Sequence, residues 1–243
     1  MNKLKVFSSF DLKMIAFITM IIDHVGYCLY YLFNYDTMLT FRLIGRVSMP
    51  IFTFLIYQGF KHTSNLEEYI KRLLLAASIT QILILIEGII AYKVAPNYDI
   101  RPYSNLNILF SFTIGVLFLC LIDNIRKVEK RMFRYALMGI CIIAILELSL
   151  LSNIEYKLIP LCILTFLYYL EKINDKKIIK FILIIIFTLA FFFFTSGLDK
   201  FAILSIPLIA MYNGRKGIDD KRVFYYAYPI QYVIIYALGI ILY

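Results

Sequence analysis

Nine apolar runs follow one another along this chain, near residues 14–33, 43–60, 73–91, 106–122, 135–151, 158–170, 178–195, 201–212 and 223–242. Most approach the roughly 17–25 apolar residues that a helix needs to cross a bilayer. They are continuous rather than alternating at period two, so they predict helices and not a barrel. In hydrocarbon a backbone has to satisfy its own N–H and C=O groups, which helices do within one segment. With 62% hydrophobic residues and a mean hydropathy of +0.80, too little polar surface remains for a water-soluble shell. The expectation is an all-α, polytopic transmembrane bundle, a single domain over residues 1–243 with about nine spans and a range of eight to ten. The first run is long and no small-residue cleavage site follows it, so it reads as a retained signal anchor in the cell membrane.

A net charge of +9 invites a nucleic-acid reading, but the placement of the charge argues against one. Nineteen of the 25 lysines and arginines sit in five patches, at residues 3–13, 61–72, 126–134, 172–180 and 215–222. The alternate connections hold Lys93, Arg101, Lys157 and Lys200, and Arg42 and Arg46 lie at the second run. Cations concentrate on the cytoplasmic side of membrane proteins, so the basic patches predict a cytoplasmic N-terminus and an outer C-terminus for nine crossings. Runs 158–170 and 201–212 are too short for a hydrocarbon core of about 30 Å at 1.5 Å per residue. They are expected as short or tilted helices buried in the bundle, with Asp199 and Lys200 at the outer interface. The longest outer loop is expected at Tyr92–Ser104. Cys28, Cys120, Cys141 and Cys162 all fall inside apolar runs without ligand spacing, which makes them packing residues rather than a metal or disulfide framework.

Ionisable residues inside a membrane cost a few kcal/mol each and usually face a cavity or a partner. Asp23 and His24 lie ten and eleven residues past Lys13, near mid-membrane. Adjacent helical positions point about 100° apart, so Asp23 is poorly placed to orient His24. Arg42 and Arg46, four apart at the outer end of the second run, need an anion, and Asp23 is the nearest candidate in sequence. One reading is a structural Asp23–Arg46 ion pair. The other is that this pair shapes a polar cavity in which His24 exchanges protons, as general acid–base chemistry requires. Gly26 leaves room for a second helix to approach.

Further polar groups cluster on the expected outer half: Glu87, Asn105, Asn107 with Ser111 four residues on, Glu147, and Glu155-Tyr156. Glu87 and Glu147 are either members of that cluster or interfacial caps, the cap being the favoured reading for Glu147; Asn107 and Ser111 either line a cavity or bridge helices. On the cytoplasmic side, Asn213-Gly214-Arg215-Lys216-Gly217 makes a basic turn that either holds phosphates or serves as a topogenic loop. The last run carries Tyr225, Tyr228, Tyr232 and Tyr236 on one stripe, with Pro229 and Gln231 at mid-depth; such a stripe is more often packing than a ligand wall.

Several of these stretches resemble one family. They are Leu12–Ala16 leading into Met20-Ile21-Ile22-Asp23-His24-Val25-Gly26; Ile44-Gly45-Arg46 with Pro50–Phe54, Gly59 and Thr63; Asn105–Phe110 with Gly115; Tyr212–Gly217; and Phe224–Ile230. Their order and spacing are similar to the TraX family of polytopic membrane proteins, named for acetylation of conjugative pilin. The resemblance implies a membrane N-acetyltransferase using acetyl-CoA and no metal. It assigns His24, Asp23, Arg46 and Asn107 to the reacting centre. Phosphates of CoA would dock on the Asn213–Gly217 turn and on Lys61 and Arg72, and the acceptor would lie against Arg42, Asn105, Ser111, Tyr228 and Gln231. The family usually closes its last motif with histidine where this chain has Gln231. The acceptor would be a protein N-terminus, a glycan or a lipid headgroup. A transporter or lipid-handling protein, or a catalytically silent pilus-assembly or immunity factor, are the rival readings of the same residues.

Overall fold

The computed structural model describes residues 5–95, 105–151, 154–173, 177–195, 197–218 and 221–243. Ten α-helices are described: α1 (Ser9–Cys28), α2 (Tyr35–Gly45), α3 (Ser48–His62), α4 (Leu66–Val94), α5 (Ile108–Ile125), α6 (Arg131–Leu151), α7 (Ile159–Lys172), α8 (Lys177–Phe194), α9 (Ser205–Ala210) and α10 (Lys221–Leu242). Two 3-10 segments, Tyr30–Leu32 and Gly197–Leu204, complete the order. Among the described residues there is no named strand, only the isolated bridges Phe7–Tyr212 and Leu106–Ile154. Four segments are long and apolar enough to cross a membrane: Tyr35–His62 taken as one unit, Leu66–Val94, Ile108–Ile125 and Lys177–Phe194. Most of the outer loop expected at Tyr92–Ser104, with Arg101, lies outside the described residues.

The helix starts are written locally. Ser8 caps α1 by accepting from the Asp11 N–H while Asp11 accepts from Ser8, a reciprocal capping box. Asn34, Asn65 and Asn107 cap α2, α4 and α5 by accepting from Thr37, Glu68 and Leu109 N–H groups. At the far end of the chain, the turn at 211–217 clasps the start of α1. Ser9 and Phe10 N–H groups, which a helix start leaves without intrahelical acceptors, donate to the carbonyls of Arg215 and Lys216 at 2.8 and 3.1 Å.

The second apolar run departs from expectation. Instead of one helix from residue 43, the helix begins at Tyr35 and breaks at Arg46–Val47, where both N–H groups bond three residues back. Residues 35–42 include Asp36, Thr37, Thr40 and Arg42, so they carry no apolar signal of their own. They are nonetheless helical because α2 lies flat on α1, and two glycines permit it. A Cβ at Gly26 would sit 2.7 Å from Phe41 Cβ, and one at Gly45 only 2.1 Å from Asp23 Cβ. The short runs are also revised. Helix α7 is partly buried through Pro160, Ile163, Leu164 and Tyr168. The other becomes half 3-10, and of residues 197–210 only Ala202 and Ser205 are buried. Helix α8 buries no residue and is held to α7 by a Phe166–Phe187 stack with centroids 4.0 Å apart.

The core follows from the same pattern. Leu12, Ala16, Ile51, Phe54 and Leu55 pack where α1 meets α3, and Met20, Cys28, Met49, Ile84, Phe112, Tyr232 and Tyr236 form a larger cluster among α1, α3, α4, α5 and α10. Gly45→Ala therefore forces Asp23 or α2 to move, an overpacking that costs about 1–3 kcal/mol. Gly139→Ala, with nothing within 4 Å of its Cβ, gains about 0.5–1 kcal/mol of helix propensity. Thermal melts of the detergent-solubilised variants should move in opposite directions.

Candidate functional site

Asp23 projects from mid-α1 and is 6% exposed. Arg46 Nη2 donates to both its carboxylate oxygens at 2.8 and 2.9 Å, and Arg42 Nη1 donates to Oδ2 at 2.8 Å. The expected Asp23–Arg46 pair is present, and Arg42 joins it. Arg46 also donates from Nη1 to Asp199 Oδ1 at 3.1 Å and from Nε to the Arg42 carbonyl at 3.2 Å. Asp199, expected at the outer interface, meets this cluster with its side chain still partly exposed. Two carboxylates and two guanidiniums thus form a charge-balanced array around a buried anion, the condition under which such charges are tolerated. Arg42 packs over the Tyr27 ring at 4.9 Å and Arg46 over Tyr156 at 5.6 Å.

His24, one residue on, stands outside this array. Its Nδ1 is 3.0 Å from Gln231 Oε1 on α10, and its ring lies 4.5 Å from that of Tyr232. The 100° between successive helical positions therefore separates the pair: Asp23 turns to α2, His24 to α10.

Both groups line a cavity of about 700 Å³. Its wall includes Tyr27, Arg42, Arg46, Asn105, Asn107, Glu155, Tyr156, Lys157, Asp199, Tyr232 and Tyr236. Two stretches of non-helical backbone, 105–107 and 154–158, form one side and brace each other. Glu155 N–H donates to the Leu106 carbonyl at 2.9 Å, and Ser111 Oγ donates to the Glu155 carbonyl at 2.9 Å. Tyr156 and Lys157 both adopt positive φ, 59° and 45°. Non-glycine residues held there store strain, a feature that gathers at ligand-facing turns.

Asn107 caps α5, lines the cavity and bridges to α4, so both readings left open for it hold. Its Nδ2 donates to the Ala77 carbonyl at 2.9 Å and to Gln81 Oε1 at 3.0 Å, and its Oδ1 accepts from Leu109 N–H. Gln81 also bonds the Asn107 N–H and the Asn105 carbonyl. The Asn107 amide is fully engaged and shapes the wall rather than offering a donor. Tyr228 lies beneath the wall, packed edge-on to Tyr232 at 5.5 Å. Tyr232 and Tyr236 serve both the core and the cavity, so the stripe is packing and wall together; the Tyr225 side chain lies outside the described residues. Glu87 is buried, with no hydrogen-bond partner for either oxygen among the described residues, which corrects its reading as an interfacial cap; Glu147 is exposed.

The set expected on the cytoplasmic side is dispersed. Asn213–Gly217 rests on Val6–Phe10, Lys61 pairs with Glu171, and Arg72 is exposed on α4. In the turn, Asn213 Oδ1 accepts the Arg215 N–H while Gly214 and Gly217 take φ of 79° and 73°, and the Arg215 and Lys216 side chains stay exposed. The turn therefore offers side-chain cations more than a backbone cradle. Among the described residues no three His, Cys, Asp or Glu side chains cluster as a metal site requires.

Comparison with known proteins gives a match to the TraX protein family over residues 8–239. The chain belongs to the TraX family. A relative described as a probable fimbrial assembly protein FimC, serogroup H1, from Dichelobacter nodosus is 32% identical over 116 residues, covering 46% of this chain and 45% of that protein. The aligned stretch is thus less than half the length of that relative. No solved structure matches. The family assignment and the four candidate spans among the described residues make this TraX-family chain an all-α membrane protein.

Tyr232 and Tyr236 were legible only as an aromatic stripe and Asp199 only as an acid flanking a run too short to span, while Gln81 carried no signal at all. Removing one member of a buried ion cluster leaves its partners uncompensated and costs about 3–5 kcal/mol. Asp23→Asn, which leaves two guanidiniums facing only Asp199, should lower the melting temperature more than Arg42→Gln, which leaves both Arg46 contacts to Asp23 in place.

Proposed function

We propose that this protein is a membrane acetyltransferase carrying an acetyl group from acetyl-CoA to an amine or hydroxyl acceptor in the cavity. The observation that carries the reading is an imidazole on the wall of a polar cavity of about 700 Å³, free of the ion cluster beside it. In this reading the chain crosses the membrane nine times with its N-terminus in the cytoplasm, the cavity lies in the outer half, and CoA stays on the cytoplasmic side.

Acetyl-CoA supplies an activated carbonyl with a thiolate leaving group. His24 takes the acceptor's proton as the new C–N or C–O bond forms and the C–S bond breaks, and it returns that proton to the departing thiolate. Acid–base assistance of this kind contributes typically about 10²–10⁴-fold. Arg42, which spends Nη1 on Asp23 and is partly exposed, is the donor best placed for the developing oxyanion. Arg46 and Asn107 hold the wall. Arg215 and Lys216 are the candidates for CoA phosphates, with Arg72 beside them in charge; Lys61 is the weaker one because Glu171 already answers it. From Phe10, under the basic turn, to His24 is 14 residues, about 21 Å along the helix, a distance for an extended pantetheine arm.

The fimbrial relative favours a pilus setting, with a pilin amino terminus as acceptor; a glycan or lipid headgroup presents the same nucleophiles. A transporter or a silent assembly factor built on the same cavity is the second reading, favoured by that relative's description as an assembly protein. Release of free CoA from acetyl-CoA by purified protein decides between them. The wild type should turn over with acceptor present, His24→Ala should lose at least a hundredfold, and acetyl-CoA should raise the melting temperature as a native-state ligand does. Unchanged turnover in His24→Ala overturns the base, whereas no turnover and no stabilisation up to millimolar acetyl-CoA favours the second reading.

A further inference from the structure

The hydrogen bond on His24 Nδ1 decides which ring nitrogen is left to react. Its partner atom is the amide oxygen of Gln231, 3.0 Å away in the buried core. An amide oxygen carries no hydrogen, so Nδ1 bears the proton and donates. A neutral imidazole in that bond keeps its lone pair on the opposite nitrogen, Nε2. Asp23 is in no position to compete for Nδ1, because Arg42 and Arg46 occupy both its oxygens. Tyr232, one residue past Gln231, lays its ring against the imidazole with an interplanar angle of 49° and restrains its rotation.

Gln231 is itself 6% exposed, and its Nε2 has no partner among the described residues. Leaving a buried amide N–H unpaired costs about 1–3 kcal/mol. Among the described residues the amide is engaged through its oxygen alone, on the imidazole.

We propose that Gln231 is the positioning residue of the site: it holds His24 as the Nδ1–H tautomer and so presents Nε2 to the cavity. The proposal rests on the reading of His24 as the base and specifies how that base is set. Because the partner is neutral, the ring is oriented without a second buried charge beside the Asp23–Arg42–Arg46 cluster. When Nε2 takes a proton, the Nδ1–H remains on the Gln231 oxygen, whose dipole stabilises the imidazolium formed.

The chain has two histidines, and the second, His62, is exposed at the end of α3. His62→Gln protein labelled with 15N-histidine therefore reports His24 alone. The expected spectrum shows a protonated Nδ1 and an unprotonated Nε2. Gln231→Met, of similar volume and with no oxygen, should release the ring to the Nε2–H form or a mixture, whereas Gln231→Glu, which keeps an acceptor, should retain Nδ1–H. In acetyl transfer, Gln231→Met should lose about tenfold to a hundredfold in kcat with KM held, and Gln231→Glu should recover most of it. An Nε2–H wild type, or a spectrum indifferent to Gln231→Met, overturns the proposal without any need for turnover. The stated tautomer in a protein that transfers no acetyl group overturns the enzyme reading instead, so the two failures are told apart.

Discussion

The buried Asp23 carboxylate and the two guanidiniums that hold it are the interaction from which the rest of the architecture follows. A charge at mid-helix in an apolar bundle has to be met by opposite charge at hydrogen-bond distance. Arg42 and Arg46 meet it, but two cations on one anion leave an excess, and Asp199 balances that. To bring both arginines inward, α2 must lie along α1, which is why Gly26 and Gly45 carry no side chain at the contact. The helix also breaks at Arg46–Val47. One ion cluster thus fixes the packing of α2, the hinge into α3 and the inward turn of the 197–204 segment.

Apolar side chains cannot close over such a cluster, and the cavity is the consequence. Non-helical backbone at membrane depth is tolerated where it is buried in protein or lines a water-filled space, and here two such stretches do so together. Residues 105–107 hang from α4 through Gln81 and Asn107, and 154–158 hang from 105–107 through Leu106 and Ser111. The strained Tyr156 and Lys157 then sit at the cavity wall with their neighbours' polar groups satisfied. His24 occupies the junction between this wall and the tyrosines of α10, near charges that already cancel one another.

Much of this was legible in the residues, and the failures have physical causes. Continuous apolar runs announced helices, and an acid and two arginines inside them announced an ion pair. Asn107 reads as lining a cavity or bridging helices and does both, but its role as the cap of α5 is masked because it falls inside an apolar run. Helix α2 was missed because its first residues are polar and are helical through their contact with α1, a tertiary effect that no periodicity records. The contact of Asp199 with Arg46 is a pairing 153 residues apart that no local pattern records, and Glu87 is buried by the packing of α4.

The segment after α8 shows how local geometry resolves a conflict in the run lengths. As an α-helix, residues 201–212 fall short of a crossing. In the structure the segment starts earlier and half of it is a 3-10 helix. Its eight residues from Gly197 to Leu204 extend about 16 Å at 2.0 Å each. The six of α9 add about 9 Å at 1.5 Å each. Between its tie points at Asp199 and Met211 the segment spans about 20 Å, close to the about 21 Å along α1 from Ser9 to Asp23. It packs against α2, α3 and α8. Asp199 meets Arg46 beside Asp23, and Met211 and Tyr212 meet Val6 and Phe7. The segment therefore runs antiparallel to α1 as a brace between the ion cluster and the basic turn. The segment thus links the ion cluster beside His24 to the clasp under the basic turn.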